Sequence, residues 1–234
     1  MSVIYNTNVV TDSLVSYWDC ANRKSYPGAG TTITDLVGGN NGTLTNGPVF
    51  DSSNKGNISF DGTNDYIISD NNSTLTGNPS YSVSLWIKIP ASATQSGIFA
   101  TFLWWGASSD MDSAFFSLFW ADQDRLFVGF WNGGSAATDG SLPDGEWVNI
   151  VWVRTGGGNA STGNLLYING DSIGLAASEI GSETSTPTIA AGKYYIDGGY
   201  NHVEAQIASI AIWSRVLTAA EVVQNYNATK RRFE

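Results

Sequence analysis

The sequence of 234 residues is poor in several residue types, and their scarcity excludes whole classes of protein. It has one cysteine, Cys20, and one histidine, His202, so an internal disulfide and a zinc site built from several imidazoles are both excluded. Charged residues make up only 14% of the chain and leave a net charge of −10. Because that charge repels phosphate backbones, nucleic acid is not expected as a partner.

Long apolar runs are also missing from the chain. No stretch approaches the roughly 18 apolar residues of a membrane-spanning helix, so no membrane span is predicted. The first residues lack the basic and apolar regions of a secretory signal. The hydrophobic content of 42% is nevertheless too high for a disordered chain, and a chain of this length can bury a core without disulfides.

What the sequence has in abundance is turn-forming residues, among them 26 glycines, between short strand-like segments. In segment 81–88 small polar and large apolar residues alternate, which predicts one core face and one wet face, apart from Trp86. Segments 115–120 and 126–131 are apolar at both parities, so these strands should be covered on both sides. The predicted strands are 13–18, 57–60, 66–69, 81–89, 97–105, 114–120, 126–131, 147–154, 164–169, 193–196 and 204–213.

Asn-Gly pairs mark the expected hairpins, because a type I′ turn needs positive φ at both middle positions. One helix is predicted to begin after Thr218, which can cap it, and to end near Asn227. Its buried side should carry Val222, Val223 and Tyr226, and residues 230–234 should be solvated. The Asn-Gly pairs are 41–42, 46–47, 132–133 and 169–170.

Several short motifs follow one another along the chain: Leu14-Val-Ser-Tyr-Trp18, the Asn/Gly loop 35–44, Phe60-Asp-Gly-Thr-Asn-Asp-Tyr-Ile67, and segments 81–87, 145–151, 166–170 and 207–218. In this order they resemble the concanavalin A-like lectin/glucanase superfamily, in particular its laminin G-like domains of bacterial and viral type. The resemblance implies an all-β fold, a two-sheet antiparallel jelly-roll β-sandwich with one short C-terminal helix. The expected layout is an N-terminal arm (1–13), a jelly-roll domain (14–227) and a C-terminal tail (228–234).

Two departures from that family bear on function. Many members carry an acidic pair in the closing strand, where this chain has Ala208 and Ser209. The Glu-x-Asp-x-x-Glu strand of the family's glucanases is absent from the sequence. We therefore expect a protein that is not an enzyme, with no catalytic residue, cofactor or metal ligand assigned, while a structural calcium ion stays an open alternative.

Aromatic residues are the main candidates for binding, because exposed rings stack on sugars and anchor protein interfaces. Of the nine tryptophans, those inside the matched strands are assigned to the core: Trp18, Trp86, Trp147, Trp152 and Trp213. The candidate ligand or partner contacts lie near strand ends or in loops, and they are Trp104, Trp105, Trp131, Tyr200, Asp110 and Asp112.

Binding without catalysis is the function that these features favour. Our first expectation is a phage or virus particle surface protein, a capsid decoration or tail-associated component that docks on other virion proteins, self-associates and contacts host glycans. A protein that reaches the outside by assembly and lysis needs neither signal peptide nor disulfide, which places it on the virion surface. The alternative is a lectin-like carbohydrate-binding module of an extracellular protein. A third is a glycoside hydrolase or polysaccharide lyase that uses Asp110 and Asp112.

Overall fold

The computed structural model describes residues 8–69, 79–91, 93, 99–106, 114–119, 125–130, 134–156, 164–173, 175–177, 188–196 and 199–234. These residues form two large antiparallel sheets, a separate two-stranded hairpin and one α-helix. The predicted all-β sandwich with a short C-terminal helix is confirmed. None of the helices among these residues has the length and apolar character to cross a membrane.

Strands of two to ten residues separated by turns account for most of the described chain, and each strand predicted from the sequence has a counterpart. In chain order they are β1 (Leu14–Asp19), β2 (Thr32–Ile33), β3 (Gly42–Thr45), β4 (Val49–Asp51), β5 (Asn57–Asp61), β6 (Tyr66–Ser69), β7 (Tyr81–Lys88), β8 (Phe99–Gly106), β9 (Ala114–Phe119), β10 (Arg125–Phe130), β11 (Gly134–Ser141), β12 (Trp147–Arg154), β13 (Asn164–Ile168), β14 (Asp171–Ile173), β15 (Leu175–Ala177), β16 (Thr188–Ala191), β17 (Lys193–Ile196), β18 (Gly199–His202) and β19 (Glu204–Trp213).

The two sheets differ in how the strands are ordered. Sheet A runs β14-β13-β12-β7-β19-β5-β4, and β1 pairs with the second half of β19. Sheet B runs β15-β11-β10-β9-β8-β16-β6-β3-β2. Strands β17 and β18 pair with each other and form the separate hairpin. Because most neighbours in a sheet are distant in sequence, the fold depends on long-range pairing.

The main core lies between the two sheets and is built from alternate residues of their strands. Three aromatic rings meet there: the Tyr81 ring stands edge-on to Trp105 and to Trp152, with both centroid distances 5.3 Å. Edge-to-face packing at this distance adds about 0.5–1.5 kcal/mol for each pair beyond the burial of area. The core thus joins β7 and β12 of sheet A to β8 of sheet B.

The outer face of sheet A is covered as well. Helix α1 (Ala219–Thr229) packs on it together with Val9 and Val10, and Val222 of the helix contacts Val151, Val153 and Trp213 of the sheet. The prediction of a wet outer face for β7 is wrong at Ser82, which is 0% exposed and donates a hydrogen bond to the Arg215 carbonyl oxygen, whereas Ser84 and Lys88 are partly exposed. Trp86, which the prediction assigned to the core, is 4% exposed.

Helix α1 begins as the sequence predicts. The Thr218 side chain accepts a hydrogen bond from the Glu221 amide, and the Glu221 carboxylate accepts one from the Thr218 amide at 2.8 Å. The predicted buried side is wrong at Val223, which is 37% exposed, whereas Asn225 is buried. With 3.6 residues per turn, Val223 lies about 100° around the helix from Val222 and faces away from the sheet.

The Asn-Gly predictions have mixed outcomes. Both residues of 46–47 and of 169–170 have positive φ, as a tight turn requires. The 169–170 pair joins the hairpin of β13 and β14, whereas 46–47 connects β3 of sheet B to β4 of sheet A, so the hairpin prediction is wrong there. The prediction is wrong at 41–42, where Gly42 begins β3 and Asn41 accepts a hydrogen bond from the Asp35 amide. The 132–133 pair lies outside the described residues.

Arg232 and Phe233 are docked rather than solvated, which corrects the prediction for these two of the residues 230–234, while Arg231 and Glu234 are exposed. After α1 the chain forms a 3₁₀ turn, Lys230–Arg232. The Arg232 guanidinium contacts the Asp19 carboxylate at 2.6 Å and the carbonyl oxygens of Asn54 and Gly56. These contacts hold the segment against the outer face of sheet A.

Candidate functional site

Two residues predicted as ligand or partner contacts, Trp104 and Trp105, lie in β8. Trp105 points into the core and is 0% exposed, while Trp104 is 3% exposed. β8 is an interior strand between β9 and β16, and the β17–β18 hairpin also packs against it. Neither ring offers a face to solvent, so both are interior side chains rather than surface contacts, which corrects the prediction.

The other candidates are not brought into a described site. Tyr200 belongs to β18, where its backbone pairs with Tyr195 of β17. Trp131, Asp110 and Asp112 lie outside the described residues. The contact roles of these four residues stay predictions.

A surface that the sequence did not single out lies on the outer face of sheet A, at the end that α1 leaves uncovered. Cross-strand pairing aligns Trp147 of β12 with Lys88 of β7, Lys88 with Gln206 of β19, and Gln206 with Ser59 of β5. All four side chains are partly exposed. Because directly paired residues lie on the same face of a sheet, these residues form one continuous row. We call Trp147, Lys88, Gln206 and Ser59 the outer row.

The facing of the outer row follows from strand alternation. The next residues along three of the strands, Val148, Ile87 and Ile207, are paired with one another and belong to the core between the sheets. Their neighbours Trp147, Lys88 and Gln206 must therefore point the other way. The same alternation that builds the core thus presents an aromatic ring, an ammonium group and an amide together on the outside.

Trp147 is held in position at its polar end and on one side of its ring. Its indole N–H donates to Asn54 Oδ1 at 3.0 Å, and Asn54 lies in the 3₁₀ turn between β4 and β5. The Phe233 ring packs against it with a centroid distance of 4.9 Å. Since the ring is anchored, its exposed part can contact a ligand without a further loss of side-chain freedom.

The rest of the outer row supplies hydrogen-bonding groups. Gln206 Nε2 donates to Ser59 Oγ at 3.3 Å, which leaves the amide oxygen of Gln206 and the hydroxyl of Ser59 for other partners. Within the described part of the chain, Lys88 forms none of the ion pairs. The row therefore offers both donors and acceptors beside an aromatic ring.

Two acidic residues, Glu204 and Asp61, border the outer row, and we call them the acidic margin. Glu204 and Asp61 are paired two register positions from Gln206 and Ser59 along β19 and β5, and therefore on the same face. Asp61 Oδ1 accepts hydrogen bonds from the amides of Thr63 at 2.8 Å and Asn64 at 3.3 Å. The bond from Thr63 lowers the pKa of Asp61, since it stabilises the charged carboxylate. The Asp61 carboxylate thus stabilises the turn that leads from sheet A to sheet B by accepting its backbone hydrogen bonds.

Behind the margin lies the lone histidine. His202 Nδ1 is 3.4 Å from the carbonyl oxygen of Asp65, and burial lowers the pKa of His202. Lys193 Nζ lies 3.5 Å above the Tyr66 ring, and burial lowers the pKa of Lys193. Burial also raises the pKa of Asp65. These groups tie the β17–β18 hairpin to the 61–65 turn, and no cluster of three metal-ligating side chains occurs among the described residues.

Sequence reasoning assigned Trp147 to the core and gave no role to Lys88, Gln206 or Ser59. Trp147 is the first residue of β12 and has the parity opposite to its core residues, which was the available signal. The alignment of the four strands that brings the row together was not available, because β12, β7, β19 and β5 are far apart in sequence.

Several solved structures share the fold. A Trypanosoma rangeli sialidase in complex with sialic acid gives a TM-score of 0.65 at 11% identity, over 95% of this chain and 34% of the sialidase. Domain 4 of AbnA, a GH43 extracellular arabinanase from Geobacillus stearothermophilus in complex with arabinotriose, gives 0.61 at 19% identity, over 92% of this chain and 98% of the domain. The botulinum neurotoxin serotype D binding domain gives 0.67 at 18%, over 94% and 52%. This chain thus spans about a third of the sialidase's length.

Sequence comparison defines the family. No curated protein sequence gives a significant match to the chain. A family model described as the concanavalin A-like lectin/glucanases superfamily matches residues 61–223, and these run from the turn after β5 into helix α1. The resemblance seen in the motifs is confirmed by this match, and the chain belongs to the concanavalin A-like lectin/glucanase superfamily.

Proposed function

We propose that this protein is a non-catalytic carbohydrate-binding domain and that the outer row is its contact surface. The observation that carries the proposal is the alignment of partly exposed Trp147 with Lys88, Gln206 and Ser59 on adjoining strands. An aromatic ring stacks on the apolar face of a sugar, while amide, ammonium and hydroxyl groups hydrogen-bond its hydroxyls.

The dimensions of the outer row favour an oligosaccharide over a single sugar. Its four residues lie on four neighbouring strands, which at ~4.8 Å per strand gives a length of roughly 14 Å. The surface is an open sheet face rather than an enclosed pocket, so a ligand would lie along it. The AbnA domain, which matches this chain over 98% of its own length, was solved in complex with arabinotriose. This likeness concerns the fold alone, and the proposal of sugar binding rests on the side chains of the outer row.

Charge favours a neutral ligand. Lys88 is accompanied by the acidic margin of Glu204 and Asp61, and the chain carries a net charge of −10. An anionic sugar would be repelled by this field, whereas neutral hydroxyls accept and donate to groups of either sign. We therefore expect neutral oligosaccharides to bind more tightly than uronates or sulfated glycans.

The absence of catalysis is part of the proposal. A glycosidase needs a carboxylic acid with a raised pKa to protonate the leaving group. Asp61, which borders the outer row, has a lowered pKa and already accepts two backbone hydrogen bonds. In the closing strand the positions of the family's acidic pair are Ala208 and Ser209. These features support binding without turnover.

The virion-surface role expected from the sequence stays a prediction, because none of the relatives described above is a particle protein. It is compatible with carbohydrate binding, since a particle protein can contact glycans. Co-purification of the chain with a phage or virus particle would support it, together with the predicted virion partners and self-association. A monodisperse monomer that joins no particle would count against it.

The test is a glycan array followed by calorimetry with the best neutral oligosaccharide. We expect saturable binding that weakens about tenfold or more in Trp147→Ala, which corresponds to at least about 1.4 kcal/mol, and is largely kept in Trp147→Phe. Gln206→Ala should also weaken binding, whereas Gln224→Ala, a matched amide on α1, should not. The proposal fails if no oligosaccharide binds, or if binding is the same in Trp147→Ala and Gln206→Ala as in the wild type.

A further inference from the structure

The segment after helix α1 places an aromatic ring on the outer face of sheet A. Phe233 stacks on Trp86 with a centroid distance of 4.0 Å and an interplanar angle of 21°. Tyr226 of α1 is stacked on Trp86 as well, at 5.8 Å and 19°. Trp86, which has the same parity on β7 as Ser84 and Lys88, is thereby covered by rings of α1 and of the segment that follows it.

We propose that Phe233 occupies a second sugar-stacking position, formed by Trp86 and Trp147, which the segment Lys230–Glu234 keeps closed. This inference rests on the proposed function and extends it. The ligand class is an oligosaccharide whose additional sugar unit presents an apolar ring face.

The position of Trp86 makes it continuous with the outer row. Trp86 is paired with Asn149, which lies two residues after Trp147 on the same face of β12. Phe233 contacts both indoles, at 4.0 Å for Trp86 and 4.9 Å for Trp147. A flat ring in the place of Phe233 would therefore bridge the two tryptophans, and removing Phe233 would lengthen the aromatic surface of the row.

The platform under Phe233 is held independently of that ring. Trp86 Nε1 donates to Thr229 Oγ1 at 2.9 Å, and this hydroxyl in turn donates to the Asn225 carbonyl oxygen at 2.9 Å. The orientation of the indole is thus set by β7 and α1. A ligand ring that replaced Phe233 would find a preorganised surface, which lowers the entropy cost of binding.

The closing segment is anchored by Arg232, the residue before the ring. Its guanidinium donates to Asp19 Oδ1 at 2.6 Å and to backbone oxygens of the β4–β5 turn, and the two side chains are only 11% and 17% exposed. Asn54 connects this anchor to the row, because its Nδ2 donates to the Arg232 carbonyl and its Oδ1 accepts from Trp147. Anchor and ring are separate residues, so the ring can be removed while the anchor stays.

The experiment measures the affinity of the full chain for a neutral oligosaccharide series by calorimetry. We expect Phe233→Ala to bind longer oligosaccharides about tenfold more tightly than the wild type does, with the shortest ligand unchanged. Adding Trp86→Ala to Phe233→Ala should remove this gain. Val223→Ala, on the exposed side of α1, is the control and should bind as the wild type does.

The outcomes separate the inference from the proposed function. If the wild type binds through Trp147 and Phe233→Ala gains nothing, or if the gain survives in the double variant, the second position is wrong and the outer row stands. If neither wild type nor Phe233→Ala binds any oligosaccharide, both proposals fail. Should Phe233→Ala not fold, Phe233→Leu is measured instead; a smaller gain for the longer oligosaccharides is expected, because leucine lacks the flat ring but still fills part of the position, and no gain would overturn the inference.

Discussion

Gly192 joins β16 of sheet B to the β17–β18 hairpin, and it does so with φ +88. A Cβ built there would lie 2.7 Å from Cδ1 of the Phe60 ring, which is itself buried in the core. We predict that Gly192→Ala destabilises the protein by about 1–3 kcal/mol in urea unfolding, because an added methyl group in a packed site forces its neighbours to shift.

Gly30→Ala is the matched control for this prediction. Gly30 has a similar φ of +91, but nothing lies within 4 Å of the added Cβ. It shares the backbone strain and lacks the clash, so the difference between the two variants isolates packing against Phe60. Equal losses of stability would show that backbone strain alone is responsible.

A second prediction for a single residue is that His202 makes the stability of the protein depend on pH. Burial lowers its pKa below the ordinary value of 6.5, so the unfolded state binds the proton more readily. Stability therefore falls as the pH drops below about 6.5, because the side with more bound protons is favoured by acid. The thermal midpoint should be lower at pH 5 than at pH 7.5, and this difference should shrink in His202→Gln. A wild-type slope retained in His202→Gln would contradict the assignment.

Individual tryptophans show how far single residues could be predicted. The sequence correctly predicts that Trp18, Trp86, Trp152 and Trp213 are buried, but it gives the wrong environment for Trp104, Trp105 and Trp147. Trp104 and Trp105 were taken as contacts because they lie near the end of a strand, yet β8 is covered on both faces. Trp147 was taken as core. Strand parity is visible in a sequence, but which end of a sheet a helix will cover depends on tertiary packing.

At the scale of elements, the start of helix α1 was the easiest to predict, since the capping residues are three positions apart and need no tertiary information, whereas the helix runs to Thr229 rather than ending near Asn227. Most of the longer strands were predicted from alternation or from continuous apolar runs, but β11, a strand of eight small and polar residues, was missed. Of the short strands, β6 and β17 were predicted, whereas β2, β3 and β4 were missed, because two to four residues carry little periodicity and are defined by their partners. The docking of Arg232 was also missed, since its partners Asp19 and Asn54 are distant in sequence.

The capping box of α1 gives the prediction for this scale. Arg215 donates to both carboxylate oxygens of Glu221, at 2.7 and 2.9 Å, and lowers the pKa of Glu221 to about 2. The folded-state pKa is below the ordinary 4.5, so the stabilisation is complete above that value and is lost as the pH falls toward 2. We expect Glu221→Gln to cost about 0.5–2 kcal/mol at pH 7 and much less at pH 2.

Urea unfolding at both pH values measures this effect. Glu234→Gln is the control: its 3.9 Å contact with Lys230 is exposed, and such pairs contribute about 0–1 kcal/mol. Thr218→Ser, which keeps the capping hydroxyl, should leave the midpoint close to that of the wild type. If Glu221→Gln unfolds with the wild-type midpoint at pH 7, the helix does not depend on this cap.

At the scale of the whole molecule, three layers explain why one surface remains for binding. Sheet B closes one side of the main core, and α1 with Val9 and Val10 covers the outer face of sheet A over Val151, Val153 and Trp213. The residues of the outer row lie outside this cover and remain partly exposed. The outer row is therefore available because the outer face of sheet A is only partly covered. The residues after α1 bound this surface, since Phe233 packs against Trp147.

The interior cysteine reports on the stability of the whole sandwich. Cys20 lies at the end of β1 in the core between the sheets, and burial raises the pKa of its thiol to about 12. Reaction with a thiol reagent needs both access and a thiolate, which the folded state denies. At pH 8, labelling of the native protein should be at least about a thousandfold slower than in denaturant, since typical domains are stable by 5–15 kcal/mol. The rate should rise in Gly192→Ala by about tenfold for each ~1.4 kcal/mol of stability lost, with free glutathione as the reference for reagent reactivity. Fast labelling unaffected by that substitution would mean that β1 detaches locally, and the sandwich would then not open as one unit.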